Sequence, residues 1–159
     1  MGVDISRRLG LALTAALLAA PVTAHAVEGL ITKDSLHAHA KTLEKLEAAL
    51  KEQGFTVFAK IDHSAAARGI NIGMPASTLV LFGNPRGGTP AMISRPTLAI
   101  DLPMKALVWE DEAGKVYVSY NSSSYVFGSV YGRHAAPAPI EQAGNLANAL
   151  SSMTDAAVK

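Results

Sequence analysis

The segment MKALVWEDEAGKVYVSY, Met104 to Tyr120, constrains the fold more than any other part of the chain. Two apolar, β-rich runs flank Glu110-Asp111-Glu112-Ala113-Gly114, a charged loop with glycine at its end. That is the pattern of a hairpin, and a hairpin joins antiparallel strands. In the second run Val116, Val118 and Tyr120 alternate with Tyr117 and Ser119, so one set points to each face of a sheet. Pro103 just before the pair cannot donate to a sheet ladder and marks a bend, a bulge or an edge. This hairpin, with helix patterns towards both ends of the chain, predicts an α+β domain with an antiparallel or mixed sheet rather than a doubly wound α/β fold.

The other segments fit one domain, and the 159 residues suffice for one. Residues 27–33 read as a short linker. A helix follows, capped by Asp34 or Ser35, with Leu36, Leu43, Leu46 and Leu50 as its apolar stripe and Gly54 as its stop. Phe55 to Ile61 and Ser77 to Phe82 read as strands, and Asp62 caps a short helix, HSAAARG, between them. PTLAIDLP reads as a further strand. Asn121 can cap a short helix through SSSYVFGSVYG, and HAAPAP is a connector. In the last segment Ile140, Ala143, Leu146, Leu150 and Met153 recur at helical spacing. No internal repeat is present.

The first 26 residues have the form of a secretory signal: Arg7 and Arg8, an uncharged apolar stretch, then Ala24-His25-Ala26 as a cleavage site. Ser6-Arg7-Arg8 also raises the twin-arginine route, although Gly10 stands where that signal wants an aromatic. The expectation is a periplasmic or secreted protein with no stable membrane span after cleavage. Loss of Arg7, Arg8 and Asp4 takes the formal charge from +1 to zero, so the mature chain has no global field for nucleic acid. The chain has no cysteine, which excludes disulfides, thiol catalysis, thiolate zinc sites and covalent haem attachment.

Few residues carry a chemical signal. VLFGNPRGGTP, Val80 to Pro90, joins an apolar run to glycines and Arg86. A phosphate loop needs a Lys-Ser/Thr pair opening a helix, and none is here. Asn84-Pro85 reads as a turn, with Gly87 and Gly88 supplying positive φ and Arg86 a cation for a carboxylate or other anion. His63, in the first turn of the helix that Asp62 caps, is a candidate base or ligand, but it lacks the second ligand a metal site needs. His37 and His39 are two apart and face different sides of a helix. Met74 and Met92, with His63, are candidate non-covalent ligands for haem iron, and methionine is equally a gap-filler of cores. Asp101, between apolar residues, is a candidate carboxylic acid or a strand-end acceptor. Ser122 to Ser124 lack the context of a hydrolase nucleophile. Tyr117, Tyr120, Tyr125, Phe127 and Tyr131 gather the aromatics in one third of the chain, as a pocket, a self-association surface or plain packing.

Three segments in order, GFTVFAKIDHSAAA, LVLFGNPRGGTPAM and PTLAIDLPMKALVWEDEAGKVYVSY, resemble the DUF302 family. The positions that carry the resemblance are Asp62-His63, Phe82-Gly83-Asn84-Pro85, Gly88, Met92 and Asp101-Leu102-Pro103. It implies a small α+β domain with a curved, mainly antiparallel sheet, and pairing of copies. It brings no catalytic residues.

The expected organisation is a signal (1–26), a linker and helix (27–53), a DUF302-like core (54–134), and a connector and C-terminal helix (135–159). The expected function is binding rather than turnover. The chain would be a homo-oligomer holding a small ligand or cofactor, haem among them, where Asp62, His63, Asn84, Arg86, Gly87, Gly88, Met92 and Asp101 converge. Two alternatives stand beside it: a small enzyme with His63 as general base and Asp62 or Asp101 as partner, and an interaction module without a ligand.

Overall fold

A computed structural model describes residues 28–159; the signal expected over residues 1–26 lies outside them. Five strands form one antiparallel sheet in the order β1-β5-β4-β3-β2. They are β1 (Leu30–Asp34), β2 (Thr56–Asp62), β3 (Ser77–Gly83), β4 (Met104–Glu110) and β5 (Val116–Asn121). The domain is α+β, as the hairpin predicts. That hairpin is β4–β5, with Val108 opposite Val118 and Ala106 opposite Tyr120.

A short helix, α2 (His63–Gly69), joins β2 to β3, and two longer ones, α1 (His39–Glu52) and α5 (Ala143–Val158), cover one face of the sheet. Leu46, Leu50, Leu150 and Met153 pack there on Val80, Phe82, Val108 and Val118, all buried. The alternation read in β5 holds, since Val116, Val118 and Tyr120 are core residues. Lys33 of β1 ties down α5 through Asp155 at 2.8 Å.

The N-terminal segment departs from expectation. Residues expected as a linker form edge strand β1, paired with β5. Helix α1 therefore starts later than its apolar stripe suggests, and Leu36 is exposed. Neither Asp34 nor Ser35 is its N-cap; Ala38 is, with no side-chain bond. Ser35 instead bonds its hydroxyl to Thr42 Oγ1 at 2.7 Å and accepts from the His37 N–H at 3.2 Å. Gly54 does end the helix, at φ +75°, a backbone region that disfavours side chains. Gly29 is constrained more tightly, because a Cβ there would lie 2.7 Å from the Tyr125 side chain.

Two excursions between strands build a satellite to the main core. The first runs from β3 to β4 through α3 (Pro85–Ser94) and a 3₁₀ turn, Pro96–Ile100. The expected turn at Asn84-Pro85 is in fact the start of α3. The Asn84 side chain accepts from the Arg86 N–H at 3.0 Å, and Pro85 at the first helical position needs no donor. Gly87 and Gly88 are accordingly helical, not of positive φ. PTLAI is likewise a helical turn rather than a strand, and the Leu102–Pro103 peptide is cis. The second excursion follows β5: Tyr125–Val130 is π-helical and runs into the short α4 (Tyr131–Arg133). Leu98, Val126, Val130 and Tyr131 close a second buried cluster between the two excursions.

Candidate functional site

A cavity of about 620 Å³ opens where the main core meets the satellite. Its size falls in the ≈ 300–1,000 Å³ range of small-molecule sites. The sheet supplies Phe58, Leu81, Gly83 and Met104, and the first excursion supplies Asn84, Gly88, Met92, Leu102 and Pro103. Val126, Phe127 and Tyr131 come from the second excursion, and Gln142, Asn145 and Leu146 from the approach to α5 and its first turns.

Local irregularities aim these side chains. The β2–β3 register slips between Val57 and Ala59, which leaves Phe58 as the extra residue of a bulge. The bulge turns Phe58 towards the end of β3. A Cβ on Gly83 would stand 3.3 Å from the Phe58 ring, so the strand glycine leaves space for it. On the opposite wall the Tyr131 N–H reaches the Val126 carbonyl, the wide i→i−5 bond of a π-turn. That spacing places Val126, Phe127 and Tyr131 on the cavity together, with Phe127 and Tyr131 edge to face at 5.3 Å.

The lining has no charged side chain. Its polar members are neutral and of two kinds. The amides Gln53, Asn84, Gln142 and Asn145 are exposed and ring the mouth. Tyr131 is only 5% exposed, and its hydroxyl makes no hydrogen bond among the described residues. Burial pushes the Tyr131 phenol up.

The expected site residues divide. Asn84, Gly87, Gly88 and Met92 line the cavity. Arg86, between them, is exposed on α3, makes no ion pair among the described residues and is not in the lining. Asp62 and His63 are at the other end of the sheet. Asp62 pairs with Thr78, whereas the cavity takes Leu81 and Gly83 from the same strand, three to five residues or about 10–16 Å further along. Asp62 is the helix cap the sequence predicts, accepting from the Ala65 N–H at 2.8 Å and from Ser64 Oγ at 2.5 Å. Those bonds hold its carboxyl below the usual range. The three segments thus do not converge. His63 cannot work with Asp101, nor with Met92 on a shared haem.

Asp101 faces a different histidine. Its Oδ2 lies 2.6 Å from His134 Nε2, and His134 Nδ1 lies 3.0 Å from Thr97 Oγ1. Arg133 adds a contact at 3.4 Å. The hydrogen bond from His134, and then the Arg133 charge, hold the Asp101 carboxyl below its usual range. Lys105 donates to the Asp101 and Pro103 carbonyls, and burial lowers its ammonium. This polar group lies outside the cavity wall, next to Leu102. Among the described residues no three His, Cys, Asp or Glu gather as metal ligands. Met92 and Met104 bring the only sulfur atoms to the lining.

Sequence reasoning missed Phe58, Val126, Leu146 and the role of Tyr131. The clustering of aromatics in the last third was the one signal that pointed to part of them.

The fold and cavity define a single-domain α+β protein with an open antiparallel sheet and an apolar chamber at its end. The family model described as "Domain of unknown function DUF302" matches residues 31–157, and the chain belongs to that family. A crystal structure of an uncharacterised conserved DUF302 protein from Bacillus stearothermophilus superposes with a TM-score of 0.69, covering 82% of this chain and 99% of that one at 19% identity, a likeness of fold. The chain is also 41% identical over 98 residues to the "Fluoride-specific ion channel FluC 1" of Brucella suis, covering 62% of this chain and 39% of that protein. The "Fluoride-specific ion channel FluC 2" of Brucella melitensis is equally similar, with 36% of it covered. The aligned stretch thus spans under two fifths of these curated relatives. No helix of the described residues is long and apolar enough to cross a membrane.

Proposed function

We propose that this DUF302 domain binds a small, predominantly apolar molecule in the chamber between its two cores. One observation carries the reading: a cavity of about 620 Å³ walled by Phe58, Leu81, Met92, Leu102, Phe127 and Leu146 with no charged side chain in its lining. Apolar surface of this extent is costly to leave wet and favourable to cover, at about 25 cal/mol per Å². A bare anion is a poor occupant, because no cation in the lining replaces its hydration. The ion transport in the Brucella relatives' names is therefore not carried over to this chamber. Titration with the uncharged fluorophore N-phenyl-1-naphthylamine tests the proposal. Saturable enhancement that a bulky side chain at Gly88 abolishes supports it; enhancement unaffected by that substitution refutes it. An absorption spectrum with added haemin tests haem as the occupant. A Soret shift lost in Met92→Leu supports haem, and an unshifted spectrum removes it.

A specific surface favours self-association beside ligand binding. The sheet face away from α1 and α5 carries Leu79, Leu107 and Trp109, and the shallow depression there is lined by strand residues alone. Trp109 stacks on Tyr117 at 4.5 Å and donates to Ser119 Oγ at 2.9 Å, and Lys105 in the same depression turns its ammonium to the Asp101 and Pro103 carbonyls. Five strands of about seven residues present roughly 550 Å² in projection. Side-chain relief raises this towards the ~800 Å² per partner of a stable interface. A second copy packing face to face fits this surface, as two sheets do in a sandwich. Sedimentation velocity reads the result. A dimer converted to monomer by Leu107→Glu supports the reading, and a wild-type monomer at high concentration refutes it. Export is part of the same proposal, resting on residues 1–26, and cell fractionation tests it.

A further inference from the structure

Resting on the chamber being a ligand site, we infer that its ligand is uncharged and carries a hydrogen-bond acceptor, such as a ketone, quinone, ester or amide carbonyl, that meets the Tyr131 hydroxyl. The geometry is specific. Tyr131 is 5% exposed, lines the chamber and belongs to the satellite core. Buried tyrosine hydroxyls normally find a partner. This one has none among the described residues, while no fully enclosed side-chain polar atom there lacks one. The oxygen therefore borders open space, and the space its residue lines is the chamber.

The π-turn accounts for the position of the residue. The bond from the Tyr131 N–H to the Val126 carbonyl opens the backbone by one residue and sets Tyr131 on the cavity wall. Such insertions in helices recur at functional sites. An ionised ligand group would need a counter-charge at that depth, and outside the wall Asp101 is already engaged by Arg133 and His134 while Lys105 donates to backbone carbonyls. A neutral acceptor needs only the one donor that Tyr131 offers. The exposed amides of Asn84, Gln142 and Asn145 are left to the polar substituents of a ligand at the mouth.

A pair of isosteric probes tests this. 2-Acetylnaphthalene and 2-isopropylnaphthalene share a shape and differ by a carbonyl oxygen in place of a methyl group. Binding of both is measured by isothermal titration to the wild type and to Tyr131→Phe, with melting curves confirming that the variant is folded. The expected result is that Tyr131→Phe weakens the ketone about fivefold, the worth of one hydrogen bond, and leaves the hydrocarbon within about twofold. Equal effects on the two probes, or none on either, overturn the inference while the chamber reading stands. If neither probe binds the wild type, both fall.

Discussion

His134 Nε2 stands 2.6 Å from Asp101 Oδ2, and this bond ties the segment after α4 to the approach to β4. Each partner belongs to one of the two excursions that wall the chamber. Thr97 on the other ring nitrogen and the bond from Arg95 Nε to the Ala135 carbonyl, at 3.0 Å, brace the same joint. The joint has a pH signature. The Asp101 carboxyl is held below its usual range, first by His134, so its contribution to stability is present above about pH 4, the ordinary value. It is lost as pH falls through the lowered folded value. Melting curves from neutral pH down to about pH 3 should show Asp101→Asn less stable than the wild type at neutral pH, with the gap closing in acid.

Gly88 is a graded entrance to the chamber. A Cβ there would sit 3.9 Å from both Leu102 Cδ1 and Met92 Cε, which is ordinary contact. Gly88→Ala should therefore raise stability by up to about 1 kcal/mol through helix propensity, read from denaturant unfolding. Gly88→Phe should fill the chamber and lower affinity for N-phenyl-1-naphthylamine by at least about tenfold, a loss of about 1.4 kcal/mol.

Phe82 links the sheet to the helices. It is 1% exposed and meets Phe55 edge to face at 5.7 Å. Phe82→Ala should cost about 3–5 kcal/mol in urea denaturation, since the side chain is buried in the main core and its loss leaves a cavity there.

Asp62 and His63 should prove separable from binding. Asp62→Ala removes a helix cap and should lower the melting temperature, and His63→Ala should change it little. Neither should alter probe affinity, because both stand at the far end of the sheet. A shift in affinity in either variant would move the binding site away from the chamber.

What was legible in the sequence followed periodicity. The alternation of Val116, Val118 and Tyr120 and the helical spacing of Leu146, Leu150 and Met153 repeat at the period of their element, and the β4–β5 loop and the Asp62 cap are local signals within a few residues of chain. What was missed depends on partners distant in sequence or on breaks in period. Leu30–Asp34 is short and mostly exposed, and only pairing with β5 makes it a strand. Asn84-Pro85 starts a turn or a helix equally well, and Gly87 and Gly88 argued for the turn, whereas the structure has Asn84 as the cap of a helix with Pro85 at its first position. Phe58 and Tyr131 reach the chamber through a bulge and a π-turn, each of which inserts a residue out of phase. The site was half visible for the same reason. Asn84, Gly87, Gly88 and Met92 lie on one short helix and its cap, whereas Asp101 found its histidine 33 residues away.

The chamber lies on the seam between a large core and a small one, and this bears on time as well as affinity. The satellite closed by Leu98, Val126, Val130 and Tyr131 buries far less than the sheet-and-helix core, so it opens more often. An occupant that touches both sides would hold the smaller half closed, so its amides would exchange with solvent more slowly once the chamber is filled.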